Sequence, residues 1–218
     1  MTVPGCLVAP MLGGANIAEI EFSDSGSSTT DASSYTFSGK ALGAALANRR
    51  IIVCLMADTA IAGRTISGVS VGGVAGSQVV SVTVGSGSRL NEIWIATVPT
   101  GTTGDVVVSI SGGNINRCAI AVYRAVNIST TAYQTTTDNS GGLSVSVNVP
   151  ANGIAVGSGY SVTTTAYNWT GLTEDVDVSV EAQSRFSAAS SAFSAVQSGL
   201  TVSVNTGDSL CTASWGPT

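Results

Sequence analysis

Residues 143–149 read Leu-Ser-Val-Ser-Val-Asn-Val, and this stretch decides the fold class. Leu143, Val145, Val147 and Val149 fall on one side of an extended chain, with Ser144, Ser146 and Asn148 on the other, because successive side chains of a strand point to opposite faces. The pattern is that of a strand with one face in a core and the other in water. The same period of two recurs over residues 79–84, 105–110, 175–181 and 199–204, and no 3.6-residue stripe competes with it. Turn residues separate the runs, among them Gly72-Gly73, Pro99-Thr100-Gly101, Gly112-Gly113 and Asp138-Asn139-Ser140-Gly141-Gly142. Strands recurring about every 8 to 14 residues with turns between them predict an all-β chain, an antiparallel β-sandwich of jelly-roll type. The helical expectation is confined to a turn or two within Gly39 to Asn48, where alanine and leucine permit it.

Two runs depart from simple alternation. Residues 50–57 are apolar on both faces, which predicts a central strand covered on both sides or lying against a partner subunit, and Arg117 to Val126 reads as a second long core strand. Residues 127–142 are polar, rich in threonine and without periodicity, so they form a long surface connection or an internal boundary. The reading favours one sandwich domain over residues 17–218, preceded by an N-terminal arm over residues 1–16. The arm lacks alternation, holds Pro4, Pro10 and Gly13-Gly14, and carries Val3, Leu7, Val8, Met11 and Leu12, which are too apolar to be left in water. Those five side chains are the candidate interface with a neighbouring subunit or with the surface to which the protein attaches.

Composition narrows the function classes. In 218 residues, 44% are hydrophobic and only 10% charged, well below the usual quarter or so, and histidine is absent. A chain of this length buries about 70% of the surface its unfolded form would expose, so its core does not depend on disulfides. The net charge is −5 and Lys40 is the only lysine, so a basic face for phosphate contacts cannot be assembled and no direct nucleic-acid partner is expected. No run of about 18 apolar residues exists to span a bilayer, and the first residues lack the basic and apolar segments of a secretion signal, so neither a membrane partner nor export is expected.

Each motif with chemical potential has a competing explanation. Gly68-Val69-Ser70-Val71-Gly72 has the glycine spacing of a nucleophile elbow, yet no histidine exists to take the serine proton and a Gly-Gly turn follows where a helix is needed. Ser70 is therefore expected to be a strand residue, and no catalytic residue is assigned. Cys6, Cys54, Cys118 and Cys211 are far apart in sequence, which opposes a zinc or redox site and favours free, buried thiols; no metal and no cofactor is expected. With Val176, Val178 and Val180 facing inward, Asp175, Asp177 and Glu181 project from one strand face, a solvated face first and a cation or arginine contact second. Tyr160, Tyr167 and Trp169 lie in a polar segment as candidate exposed, sugar-stacking rings, against the simpler placing of rings over the end of the core.

From Arg49 to Ala125 the wording includes Arg-Arg-Ile-Ile-Val at 49–53, Val-Ser-Val-Gly-Gly-Val-Ala at 69–75, Ile-Trp-Ile-Ala-Thr-Val-Pro-Thr-Gly-Thr-Thr-Gly-Asp-Val-Val-Val at 93–108 and Arg-Cys-Ala-Ile-Ala-Val-Tyr-Arg at 117–124. This stretch resembles β-rich structural proteins of tailed-bacteriophage virions, those found as capsid decorations or in tail-associated positions. The resemblance covers about a third of the chain and transfers no catalytic motif. It implies a non-enzymatic virion component, assembled in the host cytoplasm, that stabilises the capsid through protein–protein contacts. The implied partners are copies of itself, as a homotrimer or other homo-oligomer, and capsid or tail proteins. The alternative it leaves is a tail, receptor-binding or carbohydrate-binding sandwich module.

Overall fold

The strand at residues 50–58 is buried along almost its whole length, and its two faces look into two different cores. Ile51, Val53, Leu55 and Ala57 pack on one side, while Ile52, Cys54 and Met56 pack on the other. Both covering layers come from this chain. The computed structural model describes residues 16–85 and 88–218. The arm expected over residues 1–16, with Val3, Leu7, Val8, Met11 and Leu12, lies outside the described residues except for Asn16.

Every regular element among the described residues is a strand. The first half holds β1 (Glu19–Ser28), β2 (Ser34–Ala41), β3 (Arg50–Asp58), β4 (Thr65–Val71), β5 (Val74–Ala75), β6 (Ser77–Val84), β7 (Arg89–Thr97), β8 (Thr103–Ser111) and β9 (Arg117–Val126). The second holds β10 (Gln134–Asp138), β11 (Ser144–Val149), β12 (Gly153–Ser161), β13 (Trp169–Thr170), β14 (Thr173–Glu181), β15 (Ser184–Phe193), β16 (Gln197–Val204) and β17 (Ser209–Trp215). All pairings between these strands are antiparallel.

Each half builds a large and a small sheet. In the first the orders are β1-β9-β3-β7-β6 and β2-β8-β4-β5; in the second they are β10-β17-β12-β15-β14 and β11-β16-β13. The sequence favours one sandwich domain over residues 17–218 with an internal boundary allowed within 127–142; the strands form four sheets, two from each side of that stretch, and β10 begins within it. Three cores separate four layers. Val106 and Val108 of the first small sheet meet Val53 and Leu55 of the first large sheet. The other face of that sheet, with Cys54 and Tyr123, meets Val156 and Phe186 of the second large sheet. Ala155 and Ala189, on the far face of the latter, meet Val147 and Val202 of the second small sheet. The large sheets therefore lie face to face at the centre.

Strand for strand, the two halves correspond. Strands β1 to β4 occupy the places of β10 to β13, and β6 to β9 those of β14 to β17; only the two-residue β5 has no counterpart. Registers of the central pairs of the two large sheets are unbroken, whereas β4 and the edge strands β1, β2, β6, β11 and β14 each carry a register shift. A bulge bends an edge and interrupts the regular ladder that another chain would extend.

No helix forms over Gly39 to Asn48. The fully buried Arg49 provides the reason: its guanidinium donates to the carbonyls of Leu42, Gly43, Val98, Thr100 and Gly101 at 2.6–3.2 Å. Carbonyls turned toward one cation cannot align along a helix axis, and the charge-assisted bonds outweigh a weak local helix preference.

Candidate functional site

Tyr160, Tyr167 and Trp169 do not form an exposed platform. Tyr160 is 0%, Tyr167 5% and Trp169 9% exposed. Tyr160 faces the central core from β12, whereas the other two rings stack on each other in the outer core of the second half, with centroids 6.2 Å apart. Glycines draw them inward. A Cβ on Gly157 would come within 2.6 Å of the Trp169 ring, and one on Gly159 within 2.7 Å of the Tyr167 ring. The missing side chains on β12 thus leave a slot that the rings fill, and the Trp169 indole N–H finds the Ser187 hydroxyl at 2.8 Å.

The acidic run is also rearranged. Bulges between Glu174 and Val176 and between Ser179 and Glu181 break the alternation that would place Asp175, Asp177 and Glu181 on one face. Asp175 turns toward the central core and accepts from the Ser190 hydroxyl at 2.7 Å, with the Tyr123 hydroxyl beside it but outside hydrogen-bond geometry. Burial pushes its carboxyl above the ordinary value, and the hydrogen bonds offset only part of that. Asp177 takes a bidentate grip from Arg185, at 2.6 and 2.7 Å, and accepts the Tyr167 amide at 3.0 Å. Glu181 pairs with Arg117 of the first half. Both arginine contacts are internal to the chain, and among the described residues no group of three or more acids and cysteines is placed to hold a metal ion.

Part of the remaining buried polar chemistry lies on the seam between the halves, where the hydrophobic pattern gave no warning of it. Asn91, on β7, is wholly buried and reaches Ser158 and Ser209 of the second half. At one end of the seam Asp58, 5% exposed, accepts from the Ser184 hydroxyl at 2.6 Å and from Arg117 at 3.2 Å, with Arg89 at 3.9 Å. Burial lowers the affinity of the Arg117 guanidinium for its proton, but its bonds and charge pairing with Glu181 and Asp58 outweigh that and raise it.

Two clefts open beside this cluster and share Arg89. A smaller one of about 230 Å³ is floored by Asp58 and lined by Arg117, Val162 and Gln183. A larger one of about 520 Å³ lies between Thr83 and Arg89 of the first half and Asn139, Ser140 and Asp208 of the second. Asp208 is already engaged by the Val162 amide at 2.7 Å, and the Asn139 amide by the Thr83 carbonyl at 3.1 Å. These groups link segments of the chain.

Ser70 sits on β4 opposite Ala75 and Val107, away from both clefts, with Val69 and Val71 as its buried neighbours. Cys54, Cys118 and Cys211 are free and buried, and burial pushes all three thiols well up. No family model matches the chain, and no curated protein or solved structure matches it.

Proposed function

We propose that the chain is a non-enzymatic structural component of a tailed-bacteriophage virion, which attaches to the capsid through protein–protein contacts and reinforces it. The reading begins from the sequence resemblance over Arg49 to Ala125. The single observation that carries it further is the four-layer stack, in which the polar residues of the seam are spent on tying one half of the chain to the other. A body built this way is suited to load-bearing contact, and its function lies in the surfaces it presents.

We read each half as a jelly roll. Numbering eight strands along each half, with β5 and β6 as two segments of one bent strand, gives the order 1-8-3-6 in the large sheets, extended at the edge by β6 or β14, and 2-7-4 in the small sheets. Two such rolls, one behind the other, would stand on a shell as a rigid post. In this reading the partners are further copies of the chain and the capsid surface, and assembly takes place in the host cytoplasm. The tail-associated alternative shares the body and differs in the surface bound; a carbohydrate-binding version would need a platform other than Tyr160, Tyr167 and Trp169, which are buried.

The test is co-sedimentation of the purified chain with capsids of the phage that encodes it, stripped of accessory proteins. Saturable binding at a fixed number of copies per capsid supports the proposal. A chain that stays in the supernatant with capsids and pellets with isolated tails transfers the role to the tail.

A further inference from the structure

The correspondence between the halves extends below strand order. After the fourth strand of each, a glycine with positive φ turns the chain, Gly73 at 80° and Gly171 at 88°, a backbone region that side chains with a Cβ disfavour. The third strand of each presents branched apolar residues to the seam, Ile52 from β3 and Ile154 and Val156 from β12. No strand of one half joins a sheet of the other. The halves are connected covalently only through residues 127–133, between the end of β9 and the start of β10. Each half therefore has a closed outer core and one further apolar sheet face, and that face is covered by the equivalent face of its twin.

Self-complementary contact through one repeated face is the geometry of a twofold homodimer. We propose that the chain is a duplicated single sandwich whose seam is an internalised dimer interface, and that this face still docks in trans, its fitting partner being a second copy of the chain that exchanges its C-terminal half. Continuity with the existing interface supplies the argument for this occupant. The contacts that close the seam in one chain, Ile52 and Phe186 in the core and Asn91 on Ser158, are present in full when the two halves come from different chains. Exchange through a connecting segment is the established low-cost route to such dimers.

The full chain carrying a site-specific protease sequence between Thr130 and Thr131 tests this, cut after folding. The expected result is that both fragments elute together at the mass of the uncut chain, and that mixing with isotopically labelled cut chain yields hybrid pairs. Fragments that separate, or that pair but never exchange under conditions where the uncut chain reversibly unfolds, overturn the proposal. A second variant lacking residues 129–132 shortens the connection between Val126 and Gln134 from seven residues to three. It is expected to double in mass by light scattering with an unchanged far-ultraviolet circular dichroism spectrum, and a folded monomer overturns the exchange.

Discussion

Asn91 and Ser158 exchange hydrogen bonds across the seam: the Ser158 hydroxyl donates to Asn91 Oδ1 at 2.6 Å while Asn91 Nδ2 donates to the Ser158 carbonyl at 2.9 Å. Within a core otherwise made of Ile93, Val156, Phe186 and their neighbours, this pair fixes how one large sheet sits on the other. Apolar contact is non-directional, and a buried, fully satisfied polar link supplies the missing register. The first prediction follows from its burial. Asn91→Ala strands the Ser158 and Ser209 groups away from water and should lower unfolding stability by about 1–3 kcal/mol, read from the urea midpoint. An unchanged midpoint would mean that water enters the seam.

Arg49→Leu removes the donors of five carbonyls in the loops that close one end of the first half. The expected loss is on the order of 3 kcal/mol, because buried acceptors are left unpaired. Arg49→Lys should recover little of it, since an ammonium has three donors and lacks the planar fork. Equilibrium denaturation of both variants checks the ordering.

Trp169→Ala separates a core ring from a binding ring. Filling the slot over Gly157, the indole should cost about 3–5 kcal/mol on truncation, the range of buried aromatic deletions. Calorimetric unfolding gives the number. A variant as stable as the parent would place the ring outside the packing that the glycines create.

The acidic run shows how much of this was legible beforehand. Alternation along Val176, Val178 and Val180 located β14 correctly, and the apolar run at residues 50–57 identified a strand covered on both sides. The identity of the cover was not readable. Strands β12 and β17 are buried throughout and β15 over most of its length, yet all three are rich in small residues, and Gly157, Ala188 and Ser190 carry no hydrophobic period. Sheets of small residues pack closely against each other and against rings, so their burial arises from tertiary fit, beyond what local pattern records. For the same reason the polar wording around Tyr160, Tyr167 and Trp169 pointed to a surface loop, and the bulge that turns Asp175 inward left no mark in the residue order. Asn91 and Asp58 were missed because each is a polar residue at the edge of an apolar run, a signal shared with any surface strand.

Asp175 carries a pH prediction. Burial raises its folded-state carboxyl above the ordinary 3.8, so between the unfolded and folded values the folded chain holds more protons, and this group's contribution to stability falls as pH rises through that interval. Asp175→Asn keeps an acceptor for the Ser190 hydroxyl and abolishes the charge. Its Tm should exceed the parent's at pH 7, with the difference vanishing toward pH 3, where both chains are neutral at that position. A difference of equal size at both pH values would assign the effect to packing.

A capsid-reinforcing protein must reside on the head of the particle. Virions of the encoding phage can be disrupted, heads and tails separated on a density gradient, and the copy number of the chain measured in each fraction by quantitative mass spectrometry. A capsid-reinforcing role predicts many copies per head, in fixed proportion to the major shell protein, and few on tails. A chain absent from heads and tails alike, while abundant in the infected cell, would contradict it.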